Sequence, residues 1–291
     1  MNENAAESPA MTKSMTPGAP RLSVIIITQN EAHLLGDCLA SAAFADEIII
    51  VDGESRDETQ ALCRAFAAAQ AQPGGAQVRW FVRPWPGFAA QKQFALEQAT
   101  GDWVLSLDSD ERITPALAAE IRSVLQNPTA ADGYYLPRLS TFLGKFMRHG
   151  GWYPGYQLRL FRAARARLIN THAHEGFAVT GTLAHLQHDL LHYTHRTLEE
   201  SLARMNRYSS LEALDRAGRR VHWWDFFFRP LAAFWNKYVA KQGWRDGQHG
   251  LVLALVTAMV KLALYLKLWE AQHNAGAQTD ARLNAAPTET K

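Results

Sequence analysis

Four near-continuous apolar runs, Leu22–Ile27, Glu47–Val51, Val78–Val82 and Trp103–Leu107, alternate with segments of helical character, and this alternation constrains the fold more than any other feature. Strands rich in β-branched residues, without in/out alternation, are strands covered on both faces. The segments between them, Ala32–Phe44, Asp57 to about Ala71 and Phe88–Ala99, read as the crossovers of βαβ units. The pattern predicts an α/β protein with a Rossmann-like, mostly parallel central sheet flanked by helices, roughly the first 110 residues being a doubly wound nucleotide-binding half. After a helix at Pro115–Leu125, segments around Tyr134–Leu139, Phe142 and Leu158–Phe161 read as shorter mixed strands that close the sheet. Helical periodicity dominates from Leu198 to Glu270.

With 291 residues, 47% of them hydrophobic and 20% charged, the chain can bury the core of one large domain or one and a half small ones. A formal charge of +2 is too balanced for nucleic acid to be the main partner. Leu190–Glu270, however, holds twelve Lys or Arg against seven Asp or Glu, a local excess that fits an anionic surface. The two cysteines, Cys38 and Cys63, fall in helical segments with no metal-site or disulfide spacing, in keeping with a reducing compartment. The expected organisation is a disordered tail over residues 1–20, a catalytic domain over 21–197, a helical, amphipathic, membrane-associating extension over 198–270 and a flexible tail over 271–291.

Each of three strands runs into a polar loop. The first ends in Thr28-Gln29-Asn30-Glu31, the second in Asp52-Gly53-Glu54-Ser55-Arg56-Asp57, and the fourth in Asp108-Ser109-Asp110-Glu111. In an open α/β sheet, ligands bind beyond the carboxyl ends of the strands. Hard carboxylate oxygens suit Mg²⁺ or Mn²⁺, which take one or two carboxylates plus water and the oxygens of a substrate diphosphate. Helix capping, including a capping box at Ser55–Glu58, is the other account of the first two loops. Neither Gly-x-Gly-x-x-Gly nor Gly-x-x-x-x-Gly-Lys-Ser/Thr occurs, so a nucleotide is held in another way.

The Thr-Gln-Asn-Glu loop, the Asp-Gly-x-Ser-x-Asp-x-Thr loop over Asp52–Thr59, and Gly101-Asp102-Trp103 leading into Asp-Ser-Asp-Glu together resemble family 2 inverting glycosyltransferases. The resemblance implies a GT-A (nucleotide-diphospho-sugar transferase) fold. It also implies that Thr28, Asn30, Glu31, Ser55, Gln91 and Lys92 border the nucleotide sugar, that Asp52 serves the uracil, and that Asp108 and Asp110 serve the ribose, diphosphate and metal. For Lys92 a solvated helix lysine is the plainer reading.

An inverting transferase needs a carboxylate to take the proton of the attacking hydroxyl. Glu175, in Thr171-His172-Ala173-His174-Glu175-Gly176, resembles the His-Glu signature of one branch of the family and is the expected base. Six histidines lie between His172 and His195. A zinc site from His174, His185, His188, His192 and His195 matches no zinc signature and lacks cysteine partners, whereas His192 or His195 could supply one further metal ligand or remain a buried, hydrogen-bonded side chain. The glycine-rich loop Gly144–Gly155 offers Arg148, Trp152 and Tyr153 for acceptor binding, with Arg159 nearby in sequence for phosphate, ordinary packing of the aromatics being the alternative.

Trp223, Trp224, Phe226, Phe227, Phe228, Phe234, Trp235 and Tyr238 form an aromatic tract followed by Lys237, Lys241 and Arg245. Leu251–Trp269 is apolar but interrupted by Lys261 and Lys267, which favours lying in the membrane interface over spanning it, a dry intramolecular or homodimer interface being the other reading. With the loop Lys241–Gly247, this tail resembles the lipopolysaccharide core β-1,4-glucosyltransferase branch. That resemblance implies a UDP-hexose donor, glucose foremost, a lipid-linked inner-core saccharide as acceptor, and a peripheral location on the cytoplasmic face of the inner membrane. A sugar-phosphate nucleotidylyltransferase would need a glycine-rich basic loop after the first strand. A non-catalytic carbohydrate-binding protein would leave the three polar loops unexplained.

Overall fold

The computed structural model describes residues 18–171, 174–216 and 218–284, and side chains within 18–169, 176–216 and 218–273. The first seventeen residues of the expected amino-terminal tail, and the side chain of Glu175, lie outside this range. In chain order the elements begin β1 (Leu22–Thr28), α1 (Ala32–Ala42), β2 (Glu47–Asp52), α2 (Thr59–Gln70), β3 (Gln77–Val82), α3 (Phe88–Gln98), β4 (Trp103–Asp108), β5 (Glu111–Ile113) and α4 (Pro115–Gln126). Then come β6 (Gly133–Leu136), β7 (Arg138–Phe142), β8 (Lys145–Phe146), β9 (Gln157–Arg162), β10 (Ala166–Thr171), β11 (His174–Val179), β12 (Leu183–His185) and β13 (Leu190–His192). Three helices complete the order: α5 (Leu198–Asp215), α6 (Asp225–Trp235) and α7 (Gln248–Asn284), the last running past the Glu270 at which the periodicity puts its end.

The chain divides into two compact units, one holding the residues up to Arg138 with Tyr156–His192, the other holding Leu139–Gly155 with the residues from Tyr193 onward. The first is built on a seven-stranded sheet of order β12-β6-β9-β4-β1-β2-β3. β1 is parallel to both β2 and β4, β2 is parallel to β3, and β9 runs antiparallel between β4 and β6. Every residue of β1 and β2 is buried, because successive side chains point to opposite faces and both faces are covered. Val24, Ile26, Ile48, Ile50, Leu105 and Leu107 pack on one side. Ile25, Ile27, Ile49, Val51 and Val104 pack on the other, against Ala95 of α3 and Phe161 of β9.

Glu47, the one charge in the apolar second run, is buried where β2 begins. It accepts from Ser23 Oγ at 2.6 Å and from the Thr100 amide at 2.9 Å, and it pairs with Arg79 at 3.2 Å. Burial alone would raise its pKa, and these donors outweigh that and hold it below the ordinary carboxylate value. Helix α4 starts with the chemistry its sequence calls for: Thr114 caps the Leu117 amide and Pro115 takes the first turn.

In the second unit β7 and β8 form a hairpin through Leu143 and Gly144, both at positive φ, the turn geometry that follows strand twist. Helix α7 packs Leu253 against Phe142 and Met147, and Leu264, Tyr265 and Leu268 near Ala213, Val221 and Phe226. Its stretch Gln248–His273 is long and apolar enough to cross a membrane by length and composition, with a mean hydropathy of 2.0 and 28% of its apolar window buried.

Candidate active site

Strand register brings the three tips together. Thr28 lies opposite Asp52, and Ile27 opposite Asp108, on strands about 4.8 Å apart. The first two tips are then tied to each other by hydrogen bonds. The Gly53 amide donates to the Thr28 carbonyl at 2.9 Å, Gln29 Nε2 to the Gly53 carbonyl at 2.8 Å, and the Asn30 amide to Ser55 Oγ at 2.8 Å. Arg56 N–H donates to Asn30 Oδ1 at 2.8 Å, which holds Asn30 at a φ of 55°. Asp52 is fully buried; its carboxylate receives the Ser55 amide at 3.1 Å and the Ser55 hydroxyl.

The capping reading of these loops fails at the residues proposed for it. Glu31 and Glu58 stand at the helix starts and make no side-chain cap, and Ser55 bonds Asp52 instead. Capping falls to Asp57, which accepts from the Ala32 amide of α1 and the Thr59 amide of α2, both at 3.1 Å. One carboxylate thus serves two helix N-termini, and the Glu31 amide joins the network by donating to Thr59 Oγ1 at 3.0 Å.

The third tip is a charge cluster. Asp108 Oδ1 meets Lys92 Nζ at 2.8 Å, while Asp108 Oδ2 meets Arg159 Nη2. Arg159 also meets Glu111 Oε1 at 2.6 Å, and Arg138 approaches the same oxygen at 3.5 Å. Glu111 is completely buried, and its other oxygen accepts the Asp108 amide at 3.0 Å, which fixes the chain reversal carrying Asp110. Arg112 completes the turn by donating to the Ser109 carbonyl at 3.0 Å, the Glu111 carbonyl at 2.9 Å and the Leu34 carbonyl. Burial would raise the Asp108 pKa, but Arg159 and then Lys92 overcome it and hold the group ionised well below the usual carboxylate range. Asp110 faces His192 at 3.2 Å, both being partly exposed.

These contacts change one expectation. Arg159, expected to meet the acceptor or its phosphate, is only 6% exposed and held by two carboxylates of the cluster, so it is a clamp beneath Asp108 and not an acceptor contact. The other histidines weighed for a zinc site have separate neighbours, the side chain of His174 lying outside the described residues. His185 stacks on Tyr135 at 5.1 Å, His188 pairs with Glu120 at 2.9 Å and His195 bonds Ser201 at 3.0 Å, each with its own neighbours. Among the described residues no group of three or more His, Cys, Asp or Glu is gathered to hold a metal by itself. A cation completed by water and diphosphate needs fewer protein donors, and Asp110 with His192 supplies a carboxylate and an imidazole for one.

Lys92 is part of the cluster, and the solvated-lysine reading is set aside: its side chain is 14% exposed and bound to Asp108. Gln91 of α3 is fully buried, and among the described residues its Oε1 has no hydrogen-bond partner, nor does the buried Thr28 Oγ1 at the tip of β1. The acceptor candidates Arg148, Trp152 and Tyr153 belong to the second unit. There the Arg148 guanidinium lies 5.5 Å from the Tyr153 ring centre, and Trp152 packs on Phe142 and His195. The backbone of Glu175 pairs with Asn170 in the β10–β11 hairpin.

The residues missed by sequence reasoning are those that hold others in place. Glu111 was visible beside Asp110 but had no assigned role, and Arg138 carried no local signal. Trp85 lies across Gly53, where a Cβ would come within 2.5 Å of its Cε3, and its ring packs edge-on to Phe88 at 5.0 Å. This places an aromatic wall beside Asp52 that only the glycine permits.

Residues 23–181 match Glycosyl transferase family 2. The chain is 31% identical over 260 residues to the lipopolysaccharide core biosynthesis glycosyltransferase LpsC of Rhizobium meliloti, a match covering 88% of this chain and 94% of that protein. An uncharacterized glycosyltransferase of Rickettsia prowazekii is 26% identical over 266 residues, with 85% and 86% covered. Among solved structures, the mannosyltransferase PcManGT from Pyrobaculum calidifontis, in complex with GDP-Man and Mn²⁺, overlaps with a TM-score of 0.47 at 16% identity, covering 90% of this chain and 91% of that one. TarS of S. aureus in complex with UDP-GlcNAc overlaps with a TM-score of 0.47 at 13% identity, covering 89% and 92%. The mixed, mostly parallel sheet with its flanking helices and carboxy-terminal helix is the GT-A architecture expected for such a match, and the chain is a member of glycosyltransferase family 2.

Proposed function

We propose that this protein is a metal-dependent, inverting hexosyltransferase. It moves a hexose, glucose foremost, from a UDP-sugar to a hydroxyl of a lipid-linked saccharide such as the lipopolysaccharide inner core, and it works as a peripheral protein on the cytoplasmic face of the inner membrane. The observation that carries the reading is the meeting of three polar tips on adjacent strands, with Asp110 presented at a turn that Glu111, Arg112 and Arg159 hold rigid. The likeness to LpsC, a lipopolysaccharide core biosynthesis glycosyltransferase, supports the acceptor class.

In this reading Thr28, Asn30, Ser55 and Asp52 receive the nucleoside, and Gln91 offers its open Oε1 to the donor. Lys92, held at Asp108, supplies positive charge where the diphosphate enters. Asp110 and His192 would hold Mg²⁺ or Mn²⁺, whose chemistry is to offset charge on the departing diphosphate. Glu175 takes the proton from the acceptor hydroxyl as that oxygen attacks the anomeric carbon; the bond to the diphosphate breaks on the opposite face, and configuration inverts. Arg148, Trp152 and Tyr153 are the proposed acceptor contacts.

The test is turnover of UDP-glucose and related UDP-sugars by the purified protein with Mn²⁺ or Mg²⁺, alongside calorimetric binding of UDP. Glu175→Gln is expected to lower kcat by roughly 10²–10⁴-fold while UDP still binds. Asp110→Ala is expected to abolish the metal dependence of UDP binding. Full turnover by the Glu175→Gln protein removes Glu175 as base, and failure of wild-type protein to bind any uridine diphosphate compound removes the whole reading.

A further inference from the structure

We infer that the helical unit lies in the plane of an anionic bilayer, with the outward stripe of α6 among the lipids and Lys237 and Lys241 receiving headgroup phosphates, and that α7 does not cross the membrane. This deepens the proposal of a lipid-linked acceptor, and it is tested by binding alone. An amphipathic helix of a soluble protein turns its apolar stripe inward. On α6 the stripe is turned out: Trp224, Phe227, Phe228, Leu231 and Trp235, spaced i, i+3, i+4, i+7 and i+11, are 43, 67, 64, 62 and 60% exposed, and Val239 continues it at 38%. A contiguous exposed apolar face of this kind marks an interaction surface.

The charge around the stripe identifies the partner. Between Arg219 and Leu251 the chain has six Lys or Arg and two acids, Asp225 and Asp246. Both acids are buried and internally bonded, Asp225 to Arg229 at 3.0 Å and Asp246 to His149 at 2.9 Å. The charge this surface shows is therefore positive, which complements anionic lipid and not a second copy of itself. Lys237 and Lys241 sit on the turn that follows α6, and among the described residues neither has a carboxylate partner. Burial first, and the charge of Lys241 second, lower the Lys237 pKa from the ordinary lysine value, a cost that an arriving phosphate relieves. The Lys241 carbonyl accepts the Gly150 amide at 2.8 Å, and its side-chain stem passes over Gly151, so the basic turn is bound to the loop proposed for the acceptor.

Helix α7 satisfies the length and hydropathy of a span, but its lysines are committed to α5. Lys261 pairs with Glu212 at 2.9 Å, and Lys267 donates to the Asn206 carbonyl and side chain at 2.7 Å and to Ser209 and Ser210 at 2.8 Å. A crossing α7 would draw in α5, whose exposed charges Glu199, Glu200, Arg204 and Arg207 would have to enter hydrocarbon. The face of α7 away from α5 keeps Leu251, Leu255 and Met259 exposed, as a helix lying in the interface does.

The experiment is flotation of full-length protein with vesicles of phosphatidylcholine alone or with equal parts phosphatidylglycerol. Wild-type protein is expected to float with the anionic vesicles, to leave them in alkaline carbonate, and to show Trp fluorescence quenched more by shallow than by deep brominated lipid. Phe227→Ser with Phe228→Ser and Trp235→Ser is expected to stop flotation. Lys237→Met with Lys241→Met is expected to weaken anionic binding by about tenfold or more while leaving weak neutral binding unchanged. Circular dichroism melts check that the variants fold, and UDP binding is expected to be unaffected, which separates this test from that of the transfer reaction. Any one of three results overturns the inference: equal flotation with both vesicle types, retention in carbonate, or a lipid-free dimer that the serine substitutions dissociate.

Discussion

The two units reverse the usual arrangement of charge and oil in opposite ways. In the sheet unit, Glu47, Glu111 and Arg159 are inside and paired, and Trp103 is 1% exposed; in the helical unit Asp225 and Asp246, the acids beside the aromatic stripe, are hidden and Trp223 is 69% exposed. Buried ion pairs contribute little net stability relative to an apolar core of the same shape, but losing one partner is costly. The sheet unit therefore depends on a complete network that holds its strand tips rigid before any ligand arrives. The helical unit instead leaves apolar area uncovered, so its stability does not rest on such a network.

The largest expected effect tests the network. Arg159→Leu leaves Glu111 buried beside only the more distant Arg138 and should cost about 3–5 kcal/mol in urea unfolding. Its counterpart in the helical unit, Arg229→Ala, removes the half-exposed partner of Asp225, whose carboxylate keeps the His222 amide, and should cost clearly less than Arg159→Leu. Equal losses would break the comparison.

Gly53→Ala comes next. Its Cβ must displace Trp85, for about 1–3 kcal/mol of overpacking and a change in Trp fluorescence. Acidification acts on the same unit. Asp108 and Glu47 have folded pKa values below their ordinary ones, so their contribution is complete above the unfolded carboxylate pKa and is lost as pH falls through it towards the folded values. Chemical denaturation should therefore show no loss from these groups between pH 7 and about 5 and a decline below about 4, a decline that Glu47→Gln makes shallower. Thr114→Ala should cost about 1 kcal/mol by removing the cap of α4. Phe227→Ser, on the outward stripe, should change stability in lipid-free buffer by no more than about 0.5 kcal/mol.

Legibility in the sequence followed the range of the interactions. β1, β2 and β4 end within a residue of where their apolar runs end, because burial on both faces writes itself into every position. Helix α2 starts at Thr59 and not at Asp57, because Asp57 is spent capping two helices, one of them 25 residues away. The hairpin β10–β11 and the short strands β12 and β13 left no periodic signal, since cross-strand pairing rather than local pattern decides such pieces. At the site, the carboxylates were legible and their counter-charges were not. Arg159 reaches Asp108 and Glu111 from 51 and 48 residues away, a distance no spacing rule spans. The same arginine was misread because an arginine near a glycine-rich aromatic loop looks available for phosphate until its burial is known.

The cysteines have a practical consequence. Cys38 is enclosed under the third tip, its thiol donating to the Asp108 carbonyl at 3.4 Å, and burial pushes its pKa far up against the pull of Arg112. Cys63 is likewise buried, and enclosure first and Asp52 second push it up to about 12. With only two cysteines in the chain, native protein offers no accessible thiolate to a maleimide. A single new cysteine at Trp235 would thus be the only point of attachment for a spin label or dye, with no background to engineer away.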